Sequence, residues 1–321
     1  MSNTRPSLPL EFDFDDQIFP ARSRGPLGWL DAGSPELYAD RGDSPGTIGY
    51  NDFSSSLGQG PLARIPGSSL ASAQANLSPS EFADRYHHLR ISYMDSQSGL
   101  LLANSVVINV HRYNNAGIAR RRANFREKSQ LVQRVRRELR RAGGLTLIDV
   151  ESNDRSQIAK AFYGKGSPED FAVTLGHALR YRRTTPAGLQ NYCDNQARLG
   201  LDCSGFVNQY FMLLGLVPGP QGIGITTYES QGTVRTNPGE IQAHDVLIWQ
   251  GGQYRHIAVI DHLIPGSDPL QFAVVESSGS MGLATNTYTI VASDRGNVFR
   301  VDRGIDARTP SRVKIFAVNA R

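Results

Sequence analysis

Cysteine is nearly missing from this chain. Cys193 and Cys203 are the only two in 321 residues, which excludes a disulfide scaffold and any four-cysteine zinc site. No apolar run reaches the ~18 residues of a transmembrane helix, so no membrane span is expected. The first residues, Met1 to Leu10, lack a basic stretch followed by an apolar one, so no secretory signal peptide is expected. The sequence therefore predicts synthesis in the cytoplasm, with export by a signal-independent route for any extracellular role. What is present is ordinary for a polar globular protein. Hydrophobic residues make up 39%, the formal net charge is +4 and the mean hydropathy is -0.35. A core can form, diluted by something polar.

The net charge conceals two opposed segments. Residues 1–60 hold nine acids and four bases, whereas residues 112–141 hold eleven bases and two acids. Gly, Pro and Ser supply 31 of the first 80 residues, too little apolar area to offset the entropy of ordering. Residues 1–77 therefore read as a loose polar leader. Its Phe12, Phe14, Phe19, Trp29 and Tyr38 suit docking on a partner, such as a secretion or injection machine, or on the protein's own body.

Order is expected from Ser78. Ser78-Pro-Ser-Glu81 is a capping-box pattern with proline at the first helical position, predicting a helix over 79–88. Leu89–Tyr93 and Leu101–Val110 read as strands around a turn at Asp95–Gly99. Leu131, Val135 and Leu139 recur every four residues among arginines, predicting a basic helix over 124–142 with one apolar stripe, ended by Gly143-Gly144. Residues 78–154 thus form a small α/β segment. The basic helix suits an anionic polymer or simply a solvated face. Nucleic-acid recognition is not expected, because no helix-turn-helix or aromatic RNA platform accompanies it. A second capped helix starts at Ser167-Pro-Glu-Asp170, and its His177 reads as core or surface.

The chemistry concentrates in Leu201-Asp-Cys-Ser-Gly-Phe-Val207. Asp202 is a good N-cap, Phe206, Val207, Tyr210, Phe211 and Leu214 form one apolar face, and Gly215 ends the helix. Cys203 then lies in the first turn. A thiol of pKa about 8.5 is only about 3% ionised at pH 7, and half-ionisation needs roughly 2 kcal/mol. A helix N-terminus supplies about 0.3–1 kcal/mol. A nucleophilic Cys203 therefore needs an imidazolium beside it. Asp245–Trp249, His256–Ile260 and Phe272–Glu276 read as three strands. Pairing Ile260 with Phe272 in a simple hairpin gives an index sum of 532 and sets His256 directly opposite Glu276, with Cβ atoms roughly 4.5–5.5 Å apart. Glu276 would hold one imidazole nitrogen and leave the other for the thiol. His262 and His244 flank the region, His262 as a rival orienter. A zinc site here lacks ligand spacing. A Cys193–Cys203 disulfide would block the chemistry and has no oxidising compartment to support it.

Asp202-Cys-Ser-Gly-Phe-Val207, Asp245-Val-Leu-Ile-Trp249 and His256-Ile-Ala-Val-Ile260 together resemble the NlpC-type peptidases, papain-like cysteine peptidases of the bacterial cell wall. The resemblance covers residues 155–321. It implies an α+β fold in which a Cys-bearing helix packs on an antiparallel sheet that carries the His. It implies hydrolysis of amide bonds in peptidoglycan stem peptides, as endopeptidase or amidase, with no cofactor or metal. Cys203 would be the nucleophile, His256 the general base and Glu276 the third polar group, a position that in the family is often His, Asn or Gln. Asp202, Ser204 and a tyrosine would line the substrate. Tyr181 and Tyr192 are both candidates for that tyrosine, since the family's Gly-Gly pair before the motif is not matched here. Without an export signal, such an enzyme would reach its substrate as an injected antibacterial effector. Alternatively the same fold would serve as a deamidase, protease or acyltransferase on an intracellular protein, or the chain would be a non-catalytic module binding an anionic polymer.

Overall fold

The computed structural model describes residues 77–97, 100–114, 121–142, 147–217, 224–251, 255–279, 281–304 and 310–319. The leader expected over 1–77 lies outside them apart from Leu77. Helix α1 (Pro79–His87) starts as its sequence dictates. Ser78 Oγ accepts from the Glu81 N–H at 3.2 Å and Glu81 Oε2 accepts from the Ser78 N–H at 2.8 Å, a reciprocal capping box with Pro79 at the first position. A tight hairpin follows, β1 (Leu89–Gln97) and β2 (Leu100–Ile108). Its strands run closer to the turn than expected, because Asp95 and Ser96 pair with Leu102 and Leu101.

The basic helix α2 (Arg121–Ala142) buries Leu131 and Val135; the side chain of Leu139 lies outside the described residues. Its two acids face its helical neighbours. Glu127 accepts both Nε and Nη2 of Arg183, and Glu138 pairs with Arg180. Arg126, Arg134 and Arg137 point to solvent. Helix α3 (Leu147–Phe162) was not expected from the sequence, whose polar run Glu151–Gln157 hides the buried Ile158, Ala161 and Phe162. Helix α4 (Pro168–Arg180) carries the second capping box, on Ser167 and Asp170.

The boundary expected at 154/155 falls inside α3. Phe82, Tyr86, Ile91 and Leu131 share one core with Phe171, Phe206 and Tyr210, so residues 78–154 pack as part of the same unit and not as a separate segment. The aromatic stack Phe82–Tyr86–Phe171–Phe206 anchors it, with ring centroids 5.4–6.4 Å apart.

After a short helical turn at Leu189–Asn191 and a π-helical stretch at Tyr192–Gln196, helix α5 (Cys203–Leu213) and helix α6 (Ile225–Gln231) lead into the sheet. Its strands are β3 (Thr233–Val234), β4 (Val246–Trp249), β5 (Ile257–Leu263), β6 (Gln271–Ser278), β7 (Gly282–Asp294), β8 (Val298–Asp302) and β9 (Ser311–Ala317). All neighbours are antiparallel. β9 pairs with both β4 and β8, so β4 to β9 close into a six-stranded barrel, with β3 added beside the end of β9. The fold is α+β, as expected, but its sheet is closed where an antiparallel sheet alone was anticipated.

Alternation along the strands sorts the barrel into two faces. Leu247, Ala258, Ile260, Phe272, Val274, Tyr288, Phe299, Val301, Val313 and Ile315 form the filled interior. Val246, Ile248, Ile257, Val259 and Val275 face outward into the helical core, where α5 packs on β5 and β6.

Candidate active site

Cys203 is the first residue of α5 and is 7% exposed. Asp202 caps the helix by accepting the Gly205 N–H. A loop from far upstream braces this turn: the Asp202 N–H donates to Gly164 O at 3.1 Å, and Lys165 Nζ lies 2.9 Å from Asp202 Oδ2 and 2.5 Å from Ser204 Oγ. Gly205 has no side chain because none fits; a Cβ there would stand 2.8 Å from Asp202 Oδ1 and 3.0 Å from Gly164 C, and closer still to Gly164 O. On the other side Leu201 is clamped by three hydrogen bonds. Its N–H donates to Arg112 O, and its carbonyl accepts from the Asn114 N–H and from Ser277 Oγ on β6. The thiol is thus fixed against the barrel from both flanks.

Against it stands His256, immediately before β5 and in phase with the inward-facing Ala258 and Ile260. Its Nε2 lies 2.6 Å from Glu276 Oε2, which leaves Nδ1 for another partner, and the Cys203 side chain is near enough to act on the charge of the ring. The predicted trio therefore assembles, but by a different register. Nearer the turn Leu263 pairs with Phe272, an index sum of 535; a bulge between Ile260 and His262 then takes up one residue, so Ile260 pairs with Val274 and Val259 with Val275, a sum of 534. The two-residue shift preserves parity, so His256 and Glu276 stay on one face as diagonal neighbours. Diagonal Cβ atoms are roughly 7–8 Å apart, a span that two long side chains close.

Glu276 is fully buried, and all of its oxygens' partners are inside the protein. Oε1 accepts from Asn286 Nδ2 at 2.9 Å, Tyr288 OH at 2.6 Å and Arg303 Nη2 at 2.7 Å. Burial disfavours its charge, but the bonds from His256 and Tyr288 and the Arg303 charge overcome this and hold its pKa at about 2. Burial likewise opposes the imidazolium, yet the hydrogen bonds to Cys203 and Glu276 raise His256 to about 9. Trp249 packs edge-on to the imidazole at 4.6 Å. The site is therefore one mouth of the barrel, walled by Trp249, His256, Glu276, Tyr288 and Arg303.

Trp249, Asn286, Tyr288 and Arg303 were not anticipated as site residues. A signal existed: a carboxylate inside the apolar run Phe272–Val275 must find donors, and Asn286 with Tyr288, or Val301 with Arg303, recur at strand period.

Other expectations resolve differently. Asp202 and Ser204, expected to line the substrate, are committed to the helix start through Gly205, Lys165 and each other. Tyr181 ends α4, about 20 Å along the helix from Ser167 by a rise of 1.5 Å per residue. There it stacks on His177 at 5.6 Å and bonds Glu138, and burial raises its pKa; it is not brought to Cys203. Tyr192 is buried on Glu127 at 2.8 Å. His177 pairs with Asp154, His262 with Asp261, and His244 packs edge-on to Tyr210. Both cysteines are free, and burial pushes the Cys193 thiol up to about 12. Among the described residues no three His, Cys, Asp or Glu side chains are grouped to hold a metal ion, and no helix is long and apolar enough to cross a membrane.

A thiol, an imidazole and a buried carboxylate in line form the constellation that activates a cysteine nucleophile. Compared with protein-family models and with curated proteins, the chain finds no match.

Proposed function

We propose that this chain is a cysteine hydrolase of amide bonds, with peptidoglycan stem peptides as its substrate class. The observation that carries the reading is His256, held through Nε2 by the buried Glu276 and acted on by the Cys203 side chain, with Nδ1 left to serve the thiol. Cys203 attacks the amide carbon as thiolate, and the carbonyl oxygen becomes an oxyanion facing the first N–H groups of α5, which have no partner within the helix. His256 gives its proton to the departing amine, leaving a thioester. It then takes a proton from water, whose oxygen attacks the thioester, and returns that proton to the thiolate as the acid departs. Glu276 stays ionised and holds the ring.

The substrate class rests on the resemblance of Asp202–Val207 and of the two following strands to NlpC-type peptidases. A Cys-bearing helix against an antiparallel sheet that carries the His is also what a papain-like ancestry implies. Incubation of the protein with purified peptidoglycan, followed by mass spectrometry of the soluble products, tests the reading. New amine and carboxyl termini within stem peptides, lost in Cys203→Ala, are expected. Intact stem peptides with an active Cys203 would redirect the chemistry to a protein amide.

A further inference from the structure

We propose that Arg303 is a positioning residue of this site, making Glu276 one half of a charge-neutral pair so that His256 is oriented by a carboxylate without acquiring the full basicity a lone buried carboxylate would impose. The inference rests on reading Cys203 and His256 as the reacting pair. It starts from a surplus. Glu276 Oε1 has two lone pairs, which Asn286 and Tyr288 suffice to fill, yet Arg303 Nη2 is also within 2.7 Å. What Arg303 adds is charge.

Its placement is built by the fold. Arg303 follows β8 in phase with Phe299 and Val301, so it continues the interior face to the mouth. Its guanidinium lies 5.6 Å from the ring centres of both Trp249 and Tyr288. Arg303 Nε is buried and finds no acceptor among the described residues, so the side chain is held by the carboxylate and the two rings. Trp249 in turn packs on His256, so Arg303 braces the imidazole through both Glu276 and the indole. The groups facing His256 are Cys203 from α5, Glu276 from β6 and the Trp249 ring from β4; the adjacent Arg255 is paired with Glu229. Apart from the His256 ring that it orients, Glu276 is bonded to no other cation among the described residues, which makes Arg303 the counter-charge. The position that the resembled family often fills with a neutral residue is here filled by a pair of zero net charge.

The test reads the pH profile of Cys203 alkylation by iodoacetamide on the full chain, with folding checked by circular dichroism. The lower limb reports formation of the thiolate–imidazolium pair and the upper limb loss of the imidazolium proton. Arg303→Met removes a positive charge near the ring and should raise the upper limb by about one pH unit. Arg303→Lys keeps the charge and should stay within about 0.3 unit of wild type. Glu276→Gln should lower the limb, and adding Arg303→Met to it should raise it again. A folded Arg303→Met with an unmoved upper limb overturns the proposal. If that variant does not fold, coincident limbs in Glu276→Gln and in Glu276→Gln/Arg303→Met overturn it equally. A wild-type profile with one limb at the ordinary thiol value would instead overturn the reading of the site, and this inference with it.

Discussion

Glycine within a helix usually costs about 1 kcal/mol relative to alanine, so Gly205→Ala would be a stabilising change almost anywhere on an exposed helix. At the third position of α5 the sign should reverse. The added Cβ would sit 3.0 Å from the Gly164 carbonyl carbon, nearer still to its oxygen, and 2.8 Å from Asp202 Oδ1. Carbon pairs rest at about 3.5–4.0 Å, so helix and loop must part by more than half an ångström. The loop cannot yield freely. Gly164 has φ +74°, and a Cβ on it would itself meet Asn114 O and the Asp202 N–H at 2.9 Å. Parting the two also stretches the Asp202 N–H bond to Gly164 O. Overpacking of this kind costs about 1–3 kcal/mol; with the propensity gain subtracted and one hydrogen bond of about 1 kcal/mol weakened, the net loss is roughly 2 kcal/mol. Urea denaturation measures it. Because Cys203 lies two residues away on the displaced turn, iodoacetamide labelling of Cys203 at neutral pH should slow as well. A Gly205→Ala protein that is more stable than wild type, with an unchanged labelling rate, would refute the packing argument.

Three further outcomes follow from the same geometry. Iodoacetamide at pH 7 should label Cys203 far faster than Cys193, whose thiol burial pushes up to about 12; equal rates in the folded protein count against an activated Cys203, and peptide mapping reads the difference. The His256–Glu276 pair should shape stability against pH. His256, raised to about 9, contributes fully below about 6.5 and its contribution disappears as pH climbs through 9; Glu276, lowered to about 2, contributes above about 4.5 and is lost as pH falls through 2. Counted once for the pair, this is roughly 3 kcal/mol, so urea midpoints should fall between pH 6.5 and 9 in wild type and much less in Glu276→Gln; parallel curves would disprove the coupling. Glu127→Ala on α2 strands the partly buried Arg183 and the buried Tyr192 hydroxyl and should cost about 2–4 kcal/mol; a thermal melt within 1 °C of wild type would show that α2 is not anchored there.

Local rules made much of this protein legible. Both capping boxes, on Ser78 and Ser167, are spelled in four residues each and form as written. The start of α5 at Cys203 follows from Asp202 and the apolar spacing behind it. His256 and Glu276 share a face for a reason that survives an error in register. Strand parity is a two-residue property, so a slip by two leaves side chains on the same side while a slip by one would have separated them. The register itself was not legible, because it combines the pairing nearest the turn with a bulge after Ile260, and nothing local announces either. Barrel closure through β8 and β9 has the same character, as does the seat of α5 on Gly164, some forty residues upstream.

The residues missed around Glu276 lie on a different footing, since a physical demand for them could be read in advance. An ionised carboxylate inside an apolar strand costs several kcal/mol unless donors surround it. The donors had to come from strands adjacent in a closed sheet, and from positions sharing the carboxylate's face. On β7, Asn286 and Tyr288 are two apart, and on the far side of it Arg303 extends the Phe299–Val301 series. What the sequence could not reveal is that one barrel mouth gathers all three. Once the barrel closes, β6, β7 and β8 bring these side chains together, and the helix carrying Cys203 is clamped beside them through Leu201 and Ser277. Burying Glu276 and presenting His256 to the thiol are therefore one structural event. A change that opens the barrel at β8–β9 should loosen Arg303 and the His256 geometry together, even though neither strand touches the thiol.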